Sequence, residues 1–173
     1  MNDKTRALTV SALFTALCLV SLYFASVWPT GQLGFAAVAS LFVAAAVFEA
    51  GYVYGLFVYV AGSALGLLLL PTRAAPLLFV LFFGFYPVVK KFVESLRNKI
   101  LQWVLKLLVF NAALTVIWVF LRALFFAFID SALSIVVLYI SGNIVFALFD
   151  YGFSKVICFY MDRVHRARGN RKE

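Results

Sequence analysis

The chain is poor in the residues that carry chemistry. Its 173 residues include one histidine, two cysteines, four prolines and seven acidic side chains, and charged residues make up only 13%. The acidic groups Asp3, Glu49, Glu94, Asp130, Asp150, Asp162 and Glu173 are scattered along the chain. No cluster of carboxylates, histidines or cysteines is available for acid–base, nucleophilic or metal chemistry. No H-E-x-x-H or G-x-S-x-G motif occurs, so zinc-protease and serine-hydrolase chemistry has no foothold. The absence of a G-x-x-x-x-G-K-[ST] loop excludes ATP hydrolysis by that route. His165 falls in a basic tail and reads as solvated. Cys18 and Cys158 fall in apolar stretches and read as small buried residues, because a disulfide framework or metal site needs more partners. The chain is therefore read as a non-enzyme without metal or cofactor.

What the chain has in abundance is apolar surface. Hydrophobic residues reach 65% and mean hydropathy is +1.04. A soluble domain carries about 45–50% apolar and about 25% charged residues, so one water-soluble core cannot hide this composition. The expected class is an all-α integral membrane protein. At about 20 residues per span, the length accommodates five or six helices and no separate soluble domain.

Spans are expected near 7–27, 33–48, 52–70, 74–89, 107–129 and 132–154. The first exceeds the usual signal-peptide core of about 7–15 residues and reads as a retained helix. Trp28-Pro29-Thr30-Gly31, Glu49-Ala50-Gly51, Pro71-Thr72-Arg73 and Asp130-Ser131 supply the turns. Trp28 stands where interfacial aromatics belong. Between spans four and five lies a charged island, YPVVKKFVESLRNKILQWVLK. Its apolar residues Val89, Phe92, Val93, Leu96, Ile100, Trp103, Val104 and Leu107 recur at spacings of three and four, with Lys90, Lys91, Glu94, Arg97, Asn98 and Lys99 largely opposite. This spacing predicts an amphipathic helix over 88–106, lying along the membrane surface. Glu94 is spaced to pair with Lys90 and Arg97. The tail, 155–173, is basic.

With both termini in the cytoplasm, thirteen of the fifteen basic residues fall on the inner side, leaving only Arg73 and Arg122 outside. That asymmetry is a strong positive-inside signal. It accounts for the net charge of +8 through attraction to anionic lipid headgroups rather than nucleic acid.

Small residues recur at four-residue spacing: Ala12-Ala16 with Ser11-Thr15, Ala36-Ser40-Ala44, and Gly62-Gly66. Such seams serve packing inside a bundle or docking onto another membrane subunit. Ala12 and Ala16, in the cytoplasmic half of the first span, are the best docking candidates. Arg122 is placed to snorkel outward, to pair with Asp130 or to meet a ligand; Asp130 is also a natural helix N-cap. Asn111, Asn143 and Asp150 read as interhelical hydrogen bonders. Trp28, Gln32, Arg73, Arg122 and Asp130 together are the candidate ligand-binding set, suited to an anionic or carboxylate-bearing small molecule. Without an ATPase loop or buried carboxylates for ion coupling, uphill transport needs an energised partner.

In its expected architecture and in the Ala-x-x-x-Ala motif of SALFTALCLV, at Ala12 and Ala16, the chain resembles the substrate-binding S components of energy-coupling factor (ECF) transporters. The resemblance implies a six-helix bacterial membrane protein that docks onto a transmembrane T component driven by two cytoplasmic ATPases. It also implies a vitamin, metal or related micronutrient held on the outer side. The second resemblance is to the MreD family of rod-shape proteins, non-catalytic membrane scaffolds of similar size and helix count. A scaffold of that kind needs no ligand pocket.

Overall fold

The computed structural model describes residues 3–125 and 132–169, with side-chain surroundings for 4–28, 30–119 and 135–163. Secondary structure is helical throughout, with no strand among the described residues. Six described helices are long and apolar enough to cross a membrane: Lys4–Val27, Gln32–Glu49, Tyr52–Leu69, Ala74–Glu94, Lys99–Val119 and Ile135–Arg163. The chain divides into two compact units, Met1–Phe126 and Ala127–Glu173.

The first unit contains α1 (Asp3–Val27), a 3₁₀ turn (Pro29–Gly31), α2 (Gln32–Glu49), α3 (Tyr52–Leu69), α4 (Ala74–Leu78), a π-helical segment (Phe79–Phe83), α5 (Tyr86–Glu94) and α6 (Lys99–Phe125). Its connections are short, which makes successive helices antiparallel neighbours. Between α2 and α3 the Ala50 N–H closes the helix on the Ala46 carbonyl at 2.9 Å. Gly51 then turns the chain at φ 100°, ψ 174°, a backbone region open to glycine alone. One end of the unit therefore gathers the α1–α2 and α3–α4 connections. The other gathers the α2–α3 turn and the α5–α6 corner.

The core of this unit is a close approach of small residues. Helix α2 buries Ala36, Ala39, Ser40 and the run from Val43 to Val47, and packs against both α1 and α3. Helix α3 buries Gly55, Val58, Gly62 and Gly66, one stripe at helical spacing. A Cβ on Gly62 would lie 3.3 Å from Cys18 Sγ, and one on Gly66 3.5 Å from Leu22 Cδ1. A Cβ on Gly55 would overlap the Val47 side chain and sit 3.1 Å from its Cα. Backbones this close gain dispersion along their whole length of contact. The seams at Ala36-Ser40-Ala44 and Gly62-Gly66 are thus used inside the unit.

The fourth candidate span is assembled from α4, the π segment and α5. Pro87 has no N–H for the Phe83 carbonyl, and its ring crowds that position. The turn ahead of it widens: the Gly84 N–H donates to Phe79 rather than Val80, at 2.7 Å. The Val80 carbonyl, deprived of that donor, accepts instead from the Tyr59 hydroxyl at 3.0 Å. Gly84 makes room for this, since a Cβ there would come within 2.5 Å of the Tyr59 ring. Phe82 then stacks near Tyr86 and meets Phe110 of α6 edge-on, with centroids 5.1 and 5.4 Å away.

The charged island is not one helix over 88–106. Helix α5 runs on to Glu94, four residues form a corner, and α6 begins at Lys99. Span four therefore extends beyond 89, and span five starts well before 107. The corner has its own chemistry. The Ser95 hydroxyl donates to the Phe92 carbonyl at 2.6 Å, and the Ile100 N–H donates to Asn98 Oδ1 at 3.0 Å. Ser95 closes one helix and Asn98 caps the next.

The described part of the second unit is α7, Ala132–Gly169. Its 38 residues extend about 57 Å at about 1.5 Å per residue. The helix continues past 154 into the basic tail, and its hydroxyls bond back to their own helix: Ser141 to Val137 and Ser154 to Asp150. The Asp130-Ser131 turn and residues 170–173 of the tail lie outside the described residues, as does the side chain of His165.

Gly55→Ala should lower the thermal midpoint of the purified protein, the overpacking costing about 1–3 kcal/mol. Gly34→Ala, where a Cβ meets nothing within 4 Å, should leave the midpoint unchanged. Tyr59→Phe, which strips the donor from Val80, should cost about 1–3 kcal/mol; a neutral result in the same melting assay would show that the π segment satisfies itself.

Candidate functional site

Three of the residues expected to meet a ligand are placed at one end of the first unit. Trp28 and Gln32 flank the 3₁₀ turn, and Arg73 precedes α4. The two connections are stitched together: Ser26 Oγ donates to the Thr72 carbonyl at 3.5 Å, and Thr72 Oγ1 donates to the Ser26 carbonyl at 3.4 Å. The Trp28 side chain is 62% exposed and Arg73 is exposed as well, while Gln32 is half-buried. The Arg122 side chain and all of Asp130 lie outside the described residues.

Ala12 and Ala16 belong to a different surface. On α1 the residues Ser11, Cys18, Ser21, Leu22, Ala25 and Ser26 are buried, whereas Ala12 and Ala16 are exposed. Ser21 Oγ crosses to the Phe35 carbonyl of α2 at 2.8 Å, so the inward face of α1 is locked by packing and a hydrogen bond. Asn111 and Asn143 each donate to the carbonyl four residues earlier, at 2.8 Å. Asp150 is buried on α7, so one carboxylate is buried where the sequence leads one to expect none.

The most organised polar chemistry lies at the other end, in the island. Lys90 and Lys106 are only 3% and 6% exposed. Both reach Glu94 Oε1, Lys90 at 2.8 Å along α5 and Lys106 at 2.7 Å from α6. One carboxylate oxygen thus joins two ammonium groups across the corner. Around it, the Gln102 amide donates to the Leu96 carbonyl at 2.7 Å, and Lys106 stands 5.6 Å from the centroid of the Trp103 ring.

Lys91 makes a separate bridge. Its Nζ donates to the Val47 carbonyl at 2.7 Å, in the last turn of α2. The same ammonium lies 4.8 Å from the Phe48 ring centroid and 4.7 Å from that of Tyr52. A cation here meets the negative end of the α2 dipole and two aromatic faces together. It ties α5 to the α2–α3 turn.

The pairing of Glu94 with Lys90 follows from helical spacing, but that with Lys106 does not, because it spans the broken helix. Arg97 falls in the corner, not one turn along from Glu94. Nothing in the sequence brings Lys91 to Val47, although Phe48 and Tyr52 bracketing Glu49-Ala50-Gly51 hint at an aromatic seat for a cation. Among the described residues no three His, Cys, Asp or Glu side chains come together. The arrangement at this end holds helices; of the island's cations, Arg97 and Lys99 are the exposed ones.

No protein-family model, curated protein or solved structure matches this chain. Its function must be read from its own residues.

Glu94→Gln, which removes the charge shared by Lys90 and Lys106, should cost about 2 kcal/mol and lower the melting temperature by several degrees. Lys99→Gln should leave it unmoved. Equal melting of the two variants would mean that the corner is held by apolar packing alone.

Proposed function

We propose that the chain is a multi-pass protein of the bacterial cytoplasmic membrane and the substrate-binding subunit of a multi-subunit micronutrient uptake transporter, energised by partner ATPases. The membrane reading draws on six apolar helices of spanning length. The orientation, with both termini cytoplasmic, draws on the positive-inside asymmetry. On it, the island end of the first unit faces the cytoplasm and the Trp28–Arg73 end faces outward.

The observation that carries the subunit reading is the outward presentation of Ala12 and Ala16. The other small-residue seams are consumed by packing within the first unit, whereas this pair is exposed on α1. A flat, small-residue strip on an apolar helix suits close approach by a helix of another subunit. At the outer end of the first unit, Trp28, Gln32 and Arg73 would meet a small ligand bearing a carboxylate or other anion; Arg122 and Asp130, the other members of the expected set, are proposed from the sequence alone. Arginine favours such groups by bidentate hydrogen bonding.

The filled interior of the first unit favours a second reading, a non-catalytic scaffold like the MreD rod-shape proteins. Its glycine and alanine seams leave little room between α1, α2 and α3.

Native mass spectrometry of the gently purified protein separates the two. A stoichiometric small molecule, or a T component with its ATPases, is expected. Wall-synthesis partners or homo-oligomers without ligand would establish the scaffold instead. Ala12→Leu with Ala16→Leu should abolish co-purification of the T component while leaving the fold intact; undiminished association would remove these residues from the interface.

A further inference from the structure

The island carries more cations than its structural role uses. Lys90 and Lys106 are held on Glu94, and Lys91 is held on the α2 end. Arg97 and Lys99 are different: both are exposed, and among the described residues neither meets a carboxylate. They stand two residues apart in the corner between two apolar helices. Beside them the apolar side chains also face outward: Phe92 is 63% exposed, Ile100 75% and Trp103 47%.

We propose that the α5–α6 corner is a binding surface for anionic phospholipid headgroups, with Arg97 and Lys99 on the phosphodiester and Phe92, Ile100 and Trp103 in the boundary beneath it. The dimensions agree. Trp103 lies one helical turn from Lys99, about 6 Å along the axis. A bilayer's polar region is about 5–8 Å deep on each side. Trp103 therefore reaches the boundary, where indoles are enriched, when Lys99 stands at phosphate depth. Arginine offers a planar two-pronged donor to phosphate oxygens and lysine a mobile point charge. The internal ion pairs matter to this surface, because they fix the corner's backbone and leave these two cations no competing carboxylate. Charge complementarity selects the occupant: two unpaired cations on an apolar rim fit an anionic lipid better than a zwitterionic one.

The inference rests on the membrane reading but not on transport. If the protein is washed from cell membranes by alkaline carbonate, the membrane reading itself fails. With the protein retained, the site is tested by native mass spectrometry of the full chain in detergent, titrated with phosphatidylglycerol or with phosphatidylcholine of the same acyl chains. Each surface cation favours an anionic lipid by about fivefold, so the first phosphatidylglycerol should bind at least about tenfold tighter than phosphatidylcholine. Arg97→Gln with Lys99→Gln should erase that preference without changing the helical circular dichroism. Lys155→Gln with Arg163→Gln, an equal loss of charge, should keep it. The proposal is overturned if the wild-type protein does not discriminate between the lipids, or if the corner variant still does. Equal losses from both double variants would overturn it too, since net charge alone would then set the preference. So would loss of a co-purified acidic protein from the corner variant with lipid preference intact.

Discussion

The first unit depends on one constraint: wherever an apolar helix breaks or ends, its freed backbone carbonyls need donors. In surroundings this poor in polar groups, an unmade hydrogen bond costs about 1–3 kcal/mol. Some of the polar side chains of this unit are found at such places. Tyr59 serves Val80 where the π segment displaces a backbone donor, and Lys91 serves Val47 at the end of α2. Gln102 serves Leu96 in the corner.

These contacts also divide the charge between structure and surface. A lysine drawn inside to close a helix end, or to share Glu94, is withdrawn from partners outside. The island is consequently two populations of cation, one that holds α5 against α2 and α6, and one that faces outward. The same separation applies to small residues. Those on α2 and α3 set the distance between backbones, while Ala12 and Ala16 take no part in the inward face of α1. What remains unused by the fold is a short account of where partners can act: the Ala12–Ala16 strip, the exposed Trp28 and Arg73 end, and the Arg97–Lys99 corner.

The candidate site was legible to different depths. Turn residues placed Trp28, Gln32 and Arg73 at helix ends, and short connections then brought those ends together. The reciprocal bonds between Ser26 and Thr72 carry no periodic signature, so nothing in the sequence announced them. The amphipathic pattern across 88–106 was misleading for a physical reason. Its spacing fits a helix, but Ser95 and Asn98 can each bond the nearby backbone and so end one helix and start another. Once the helix breaks, Lys106 folds back to Glu94, twelve residues away in the sequence.

The sequence by itself determined that the chain is helical, that its helices are apolar and of spanning length, and roughly where they turn. Composition and periodicity are local properties, and a run of about 20 apolar residues needs no knowledge of its neighbours. Only the tertiary structure decided which small residues face inward, which cations are captured, and that a π turn in the fourth span is completed by a tyrosine from the third. Those outcomes depend on which helix lies alongside and at what height. Neither is set by hydropathy, because nearly every face of these helices is apolar enough to be buried.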